Sequence, residues 1–451
     1  MTMAAYAIEL NDADIVAWDL TRELLHDSGY AYLGATPWRF GAAAAASARL
    51  HPHDTVTGQL AQPDAPRVGA LAVSAADVLY RQMLTWSAVL SDAPGIWLAS
   101  SAASAAQLGT LLGVAQAAGL KIGILADRAV AAASALPFEG TVYCIDVELE
   151  RGLITEVHLH AGVAVRNSVA LLPELGLRNL FDAWCKAFAA RMVQATRFDP
   201  LHVAATEQAL FDALPGWLER LMRDGRIEEA AIDSNSGRYA IEYRAAHAAA
   251  DIADQLRMLT GKLHALRRVQ MPAAILLTAT ASRLPGLLEA LQEFADCEIF
   301  TAKSGQAAQA ALGSLEPASD GDSATALLLA VPHNPYPAWV AARTATASLA
   351  TAATATHMVY SGRALSLTEM PIAVGTAASD ARGLQIPAAV AGVSRHHCSV
   401  LLEGGQVFVH DHSRFGSFLN DERVAGRAIV RVGDRLRLGN PGIELTFVRM
   451  E

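Results

Sequence analysis

Residues 392–439 read GVSRHHCSVLLEGGQVFVHDHSRFGSFLNDERVAGRAIVRVGDRLRLG, and the spacing of short apolar runs within them decides how the C-terminal part of the chain folds. Ser399–Glu403 and Gln406–His410 are β-branched and apolar runs joined by Gly404-Gly405, a dipeptide suited to the positive φ of a tight hairpin turn. The pattern predicts a hairpin there. A second pair of runs, Ala428–Val432 and Arg435–Leu438, is joined by Gly433-Asp434, and Gly439-Asn440-Pro441-Gly442 punctuates the chain before a last strand at Glu444–Val448. Short strands at this spacing predict a β-sandwich. Their conspicuous polar residues fall at strand ends, where the loops of a sandwich gather into a binding face.

This constellation resembles the forkhead-associated (FHA) domain. The carrying residues are Ser394-Arg395-x-His397, then Asp411-x-Ser413-x-x-Gly416-Ser417-x-x-Asn420, then Gly433-Asp434 and Gly439. The resemblance implies an all-β sandwich that binds phosphothreonine peptides. It assigns the peptide-facing positions to Ser394, Arg395, Ser413, Arg414, Ser417 and Asn420, and supporting positions to Gly375, His397, Asp411, Gly416, Gly433 and Asp434. Ser394 would donate its hydroxyl to the phosphate, Arg395 would add charge, His397 would pin the loop through backbone bonds, and Asn420 would bond the peptide main chain. Two positions depart from the family. Its first strand ends Gly-Arg, but here Gly375 is followed by Thr376; the Asn usual before the second-loop Gly is Phe415. Losing two charge-assisted contacts weakens phosphate binding by roughly a hundredfold. Arg382, Arg395 and Arg414 are the candidates to replace them, and a sandwich that binds its partner without phosphate stays open as an alternative.

Over 451 residues, 52% hydrophobic and 18% charged composition describes a globular chain long enough for two or three domains. A net charge of −10 argues against nucleic acid, which asks for a basic face. No apolar run is long enough to span a bilayer and no leader pattern opens the chain, so a cytoplasmic protein without membrane insertion is expected. Cys144, Cys185, Cys297 and Cys398 are scattered, which predicts buried free thiols. His396, His397, Cys398, His410 and His412 lie on neighbouring segments, but alternate strand residues point to opposite faces, and no metal is expected.

Toward the N-terminus strands and helices alternate. Strands are predicted at Tyr6–Leu10, Asp14–Asp19, Gly95–Leu98, Lys121–Leu125, Thr141–Val147 and Ile154–His160, and helices at Val73–Leu90, Ser104–Ala118 and Ala129–Leu136. Further helices are predicted at Leu177–Arg197, Thr206–Arg223 and Ala245–Arg268. Such alternation implies an α/β sheet covered on its faces. Ala117-Ala118-Gly119-Leu120 with Arg128-Ala129-Val130-Ala131-Ala132-Ala133, Val142–Asp146, and Ile275–Leu277 with Ser282–Leu287 are similar to segments of the actin-like ATPase domain. The branch they resemble most is that of the seventy-kilodalton heat-shock chaperones. That resemblance implies two phosphate loops, yet their glycines are missing. The first loop stands as Glu9-Leu10-Asn11-Asp12, the second as Asp146-Val147-Glu148-Leu149-Glu150-Arg151, and the adenosine Gly-Gly as Ala279-Thr280. Backbone N–H groups approach phosphate closely only where side chains are absent, and Asp12, Glu148 and Glu150 would repel it. Asp146 and Arg283 remain as residual nucleotide contacts. A pseudo-ATPase without cofactor is expected, with ATP binding disfavoured; a working ATP-dependent chaperone-like protein is the alternative.

The domains are expected at residues 1–330 and 357–451. Between them, 331–356 starts with prolines and continues as an Ala/Thr-rich tract of linker composition. The chain is thus expected to be a multidomain scaffold: a degenerate actin-like α/β domain followed by an all-β FHA sandwich that recruits a phosphothreonine-bearing protein.

Overall fold

In the computed structural model the chain divides into two units, Met1–Thr344 and Ala345–Glu451. The described residues are 6–68, 72–90, 92–267, 273–315, 327–335, 355–360, 363–378, 383–387, 390, 392–403, 406–419, 422–424, 426–430, 434–439 and 442–448.

The first unit begins with strands β1 (Ala7–Glu9), β2 (Ile15–Trp18) and β3 (Glu23–Asp27), followed by the short strands β4 (Ala31–Tyr32), β5 (Arg39–Phe40) and β6 (Thr55–Val56) around helix α1 (Ala42–Ala45). Helix α2 (Ala75–Ser87) starts where the Ser74 side chain accepts the Asp77 N–H, and α3 (Ala105–Ala117) starts in a Ser104/Gln107 capping box. They flank β7 (Gly95–Ala99) and precede β8 (Ile122–Asp127), whose apolar runs suit parallel strands covered on both faces. Asp127 then caps α4 (Arg128–Ser134) by accepting the N–H groups of Ala129 and Val130. Strands β9 (Gly140–Val147), β10 (Gly152–His160) and β11 (Val163–Leu172) follow. Next come helices α5 (Leu177–Thr196) and α6 (Ala204–Asp224), the hairpin β12 (Arg226–Ser234) and β13 (Gly237–Arg244), and helices α7 (Ala245–Ala250) and α8 (Ala253–Leu266). The unit closes with β14 (Ala273–Leu277), α9 (Ala279–Ser282), α10 (Leu287–Ala290), β15 (Cys297–Thr301), α11 (Gln306–Ser314) and β16 (Ala330–Pro332).

Two sheets organise these elements and share one plan. The first runs β3-β2-β1-β7-β8, antiparallel through β1, β2 and β3 and parallel through β1, β7 and β8. The second runs β11-β10-β9-β14-β15 with the same sequence of directions, and β16 adds to its β11 edge. The turn between the first two strands of each repeat is therefore equivalent: residues 10–14 in one, 148–151 in the other. Alanines of α4 and α11 share one core with Ile96 and Leu98 of the first sheet and Val142, Cys144 and Leu276 of the second. Small side chains let these helices approach closely and fuse the halves. A separate core around Trp184, Phe188, Trp217 and Tyr243 fills the helical insertion between β11 and β14.

The structure corrects several expectations here. The helix predicted over Ala245–Arg268 is broken at Asp251, whose carboxylate is held by Arg191 (2.8 and 2.5 Å) and by the Tyr243 hydroxyl (3.1 Å). The β12–β13 hairpin, β3 and β11 were not anticipated. Residues 331–334 are not linker: Val331 pairs with Ala164, and the N–H groups of His333 and Asn334 bond Gly162 and Ser134 carbonyls. Ala355 is buried in the second unit's core, so the tract between the units narrows to 336–354, outside the described residues. All four cysteines are free, with Cys144, Cys185 and Cys398 buried. Among the described residues no helix is long and apolar enough to cross a membrane.

The second unit is a sandwich. Its strands are β17 (His357–Tyr360), β18 (Arg363–Ser366), β19 (Ile372–Gly375), β20 (Leu384–Gln385), β21 (Cys398–Glu403), β22 (Gln406–Asp411), β23 (Ser417–Leu419), β24 (Glu422–Arg423), β25 (Arg427–Val430), β26 (Arg435–Leu438) and β27 (Ile443–Val448). They form sheets β18-β17-β27-β26-β23-β24 and β20-β19-β21-β22-β25. Met358, Val374, Val400, Val409, Leu436, Leu445 and Phe447 are inward-facing and fill the core between them. The β21–β22 hairpin forms as predicted. The runs on either side of Gly433-Asp434 do not pair: β25 joins β22 in one sheet and β26 joins β23 and β27 in the other.

Candidate functional site

Loops at one end of the sandwich bring together most of the residues singled out in its sequence. The loop before β21 is laid on the end of β19 by backbone bonds from Thr376 to Ser394 (3.1 Å), Ala377 to Arg395 (3.0 Å) and His397 to Val374 (2.8 Å). Gly375 makes this approach possible, since a Cβ there would lie 2.1 Å from the Arg395 carbonyl oxygen. His397 is fully buried. Its Nδ1 accepts the Ser394 N–H at 3.0 Å, which leaves Nε2 as the protonated nitrogen, donating to the Gly416 carbonyl at 3.1 Å. Burial lowers the His397 pKa and keeps the ring neutral. One imidazole thus clamps both loops.

The second loop is shaped by Asp411. Its Oδ1 accepts from the Ser413 N–H (3.1 Å) and the Ser417 hydroxyl (2.8 Å), while Ser413 Oγ accepts the Gly416 N–H (2.7 Å). Burial alone would raise the Asp411 pKa, but the bonds from Ser413 and Ser417 outweigh it and hold the carboxylate ionised. Gly416 sits at φ +84°. A methyl there would come 3.2 Å from Arg423 Nε, so a further guanidinium, not anticipated from the sequence, lies against this turn. Only the strand pairing of β23 with β24 brings it there.

Ser417 needs correction: it is fully buried with its proton committed to Asp411, so it supports the loop and does not face a peptide. What the loops leave outward is a hydroxyl between two exposed arginines. Ser394 Oγ accepts the Arg414 N–H at 3.2 Å, and among the described residues its own proton has no acceptor. Arg395 and Arg414 are exposed, as is Phe415 at 55%. Thr376 is half-buried, and its carbonyl accepts from Gln385 at 3.4 Å. The Asp434 carbonyl takes the Phe447 N–H at 3.0 Å. Asn420, Gly433 and Arg382 lie outside the described residues.

In the first unit, the two equivalent turns meet over a buried ion network. Arg128, 3% exposed, donates from Nε and Nη2 to Asp146 (2.9 and 2.5 Å), from Nη2 to Glu148 (2.8 Å), and from Nη1 to the Leu10 carbonyl. Asn11 Nδ2 reaches Asp146 at 2.9 Å and the Val147 carbonyl at 3.0 Å, and Thr278 donates to Asp146 at 2.7 Å. Asp12 accepts the Leu149 N–H at 2.7 Å, and Glu148 also takes Arg151 Nε at 2.8 Å. Burial, reinforced by Glu148, pushes Asp12 up to about 7. Burial disfavours the Arg128 charge, but Asp146 and Glu148 overcome it and raise its pKa. Glu148 is thus paired with Arg128 and Arg151, and Glu150 with Arg178, whereas Asp12 keeps Oδ2 without a hydrogen-bond partner among the described residues. Asp146 is committed inside this network, while Arg283 is half-exposed and reaches Asp14 at 3.9 Å. Sequence reasoning missed Arg128, although one charge opening the run Ala129–Ala133, with carboxylates two residues apart at 146 and 148, was a usable signal.

The family model of the FHA domain matches residues 374–439, the segment from the end of β19 through β26. The chain thus carries an FHA domain near its C-terminus, which implies phosphothreonine-dependent protein interaction. No curated protein matches the chain.

Proposed function

We propose that this protein is a non-catalytic adaptor whose FHA domain captures a phosphothreonine-bearing protein and whose first unit is a nucleotide-free descendant of the actin-like, chaperone-type ATPase fold. The observation that carries the binding half is the Ser394 hydroxyl held between exposed Arg395 and Arg414 by a buried histidine clamp. A donor hydroxyl and two guanidinium groups suit a phosphate dianion. Full-length protein titrated with paired threonine and phosphothreonine peptides tests it. The phosphorylated series is expected to bind more tightly, with roughly tens-of-micromolar affinity, and Ser394→Ala with Arg395→Ala to erase the difference. Thr376 and Phe415 favour a second reading, partner binding without phosphate; equal affinity for both peptide series would establish it.

The repeated sheet supports the ATPase-fold half of the reading, because both expected phosphate loops fall at the equivalent first turn of each repeat. Where phosphates would enter, the turns are instead bonded to each other, with Arg128 between them supplying positive charge to Asp146 and Glu148. Nucleotide binding would have to break a buried ion network, at about 3–5 kcal/mol. The full chain is expected to show no Mg-ATP turnover; a sub-millimolar dissociation constant with turnover would overturn this half alone.

A further inference from the structure

Between the small β4–β6 sheet and the start of α5 lies an open cavity of about 680 Å³. We propose that it binds a small organic polyanion, a molecule bearing two or more phosphate or carboxylate groups, at a site distinct from the FHA loops that adjoins the Asp146 network through Arg151. Its charged lining is Arg49, Arg67, Arg151 and Arg178 against a single carboxylate, Glu150. Asp182, Glu207 and Glu148 behind this lining answer Arg49 and Arg151, which leaves Arg67 to supply the excess positive charge, and a concave wall concentrates its field.

The arginines are unequally spent. Glu150 is already answered by Arg178 Nη1 at 2.7 Å and the Thr57 hydroxyl at 2.5 Å. Arg49 faces Asp182 and Glu207 and lies 4.7 Å over the Phe211 ring, so it belongs to the wall. Arg151 gives Nε to Glu148, but its Nη2 is buried with no hydrogen-bond partner among the described residues. Arg67 is exposed and makes no ion pair among the described residues. The first turn of α5 borders the space through Arg178, but the N–H groups of Leu177 and Arg178 are taken by the Glu148 and Leu149 carbonyls (2.9 and 3.0 Å), so the arginine side chains supply the positive field.

Size and walls narrow the ligand. The volume falls within the range of pockets for small organic molecules and exceeds what one phosphate fills. Phe211 and Tyr30 supply an aromatic side, and burial keeps the Tyr30 phenol neutral by raising its pKa to about 12. The phenol therefore does not oppose an anion.

The test is titration calorimetry of full-length protein at physiological salt with inorganic triphosphate and, separately, citrate. One site per chain is expected, with orthophosphate roughly tenfold weaker or more; the tighter of the two probes assigns phosphate or carboxylate. Arg67→Glu and Arg178→Gln are each expected to weaken binding roughly tenfold. Ser394→Ala with Arg395→Ala should leave it unchanged, which separates this site from the FHA loops. Arg67 is exposed, so an unaltered melting temperature accompanies its reversal; if Arg67→Glu melts early, Arg67→Ala takes its place. No binding of either probe, full-strength binding after the Arg67 change, or loss of binding in the Ser394/Arg395 variant would overturn the proposal.

Discussion

Arginine is put to opposite uses in the two units. In the first, Arg128 is almost wholly enclosed and its donors end on Asp146, Glu148 and the Leu10 carbonyl. In the second, Arg395 and Arg414 stand in solvent, and among the described residues only the backbone beneath them is fastened, by His397 and Ser394. A guanidinium whose partners are all internal holds a structure together and has little to offer a ligand. One whose side chain is free above a fixed backbone is organised for a partner that has yet to arrive.

Removing the enclosed charge is the strongest way to break this contrast. Arg128→Ala strands two buried carboxylates and is expected to cost about 3–5 kcal/mol, read by denaturant unfolding of the full chain. Arg414→Ala should cost less than about 0.5 kcal/mol in the same assay. Equal losses in the two variants would erase the distinction.

Acid and base sharpen the comparison next, because the two units respond with opposite sign. Burial pushes Glu9 and Asp12 up to about 7, so the folded first unit holds protons that the unfolded chain releases. Its stability is full below the ordinary carboxylate range and is lost as pH rises through 7. From pH 5.5 to 8, Glu9 alone accounts for about 2 kcal/mol, and Asp12 acts in the same direction. His26, raised chiefly by its bond to Asp14, does so too. In the FHA unit His397 and Asp411 are both lowered, so stability is present at neutral pH and lost on acidification. Protonating Nδ1 also removes the acceptor for the Ser394 N–H. Calorimetric melts between pH 5 and 8 should show one transition falling as pH rises and the other falling as pH drops; parallel movement of both would contradict the assignment.

The mildest probe adds a charge to the open side. Thr376→Arg restores the residue that the FHA resemblance expects and should tighten phosphothreonine-peptide binding about tenfold, or about 1.4 kcal/mol. No gain would mean that position 376, half-buried and bonded through its backbone to Ser394, does not look toward the phosphate.

Local chemistry explains what the sequence made legible. Gly404-Gly405 between two alternating runs announced the β21–β22 hairpin, and the loop motif announced the clamp around His397, since both depend on residues close in the chain. The runs around Gly433-Asp434 read as a second pair, yet alternation states which face a residue takes and says nothing of which strand it pairs with. Ser417 looked like a surface residue because its polarity is visible in sequence and the proton it gives Asp411 is not. Arg128 stood out by its charge at the head of an alanine run, but its partners did not. Its partners lie 18 and 20 residues away, at the end of β9 and in the turn after it, and its role appears only when the two repeats close on one another.

The Gly416 carbonyl accepts from His397 Nε2 and also from the Gly439 N–H at 3.0 Å, so one oxygen ties three loop segments. Their amides should exchange with deuterium as a set, with Ser394 and Gly439 opening together and neither fraying alone. A peptide arriving at this face then has little loop entropy to quench, and its association should proceed in a single phase without a slow ordering step.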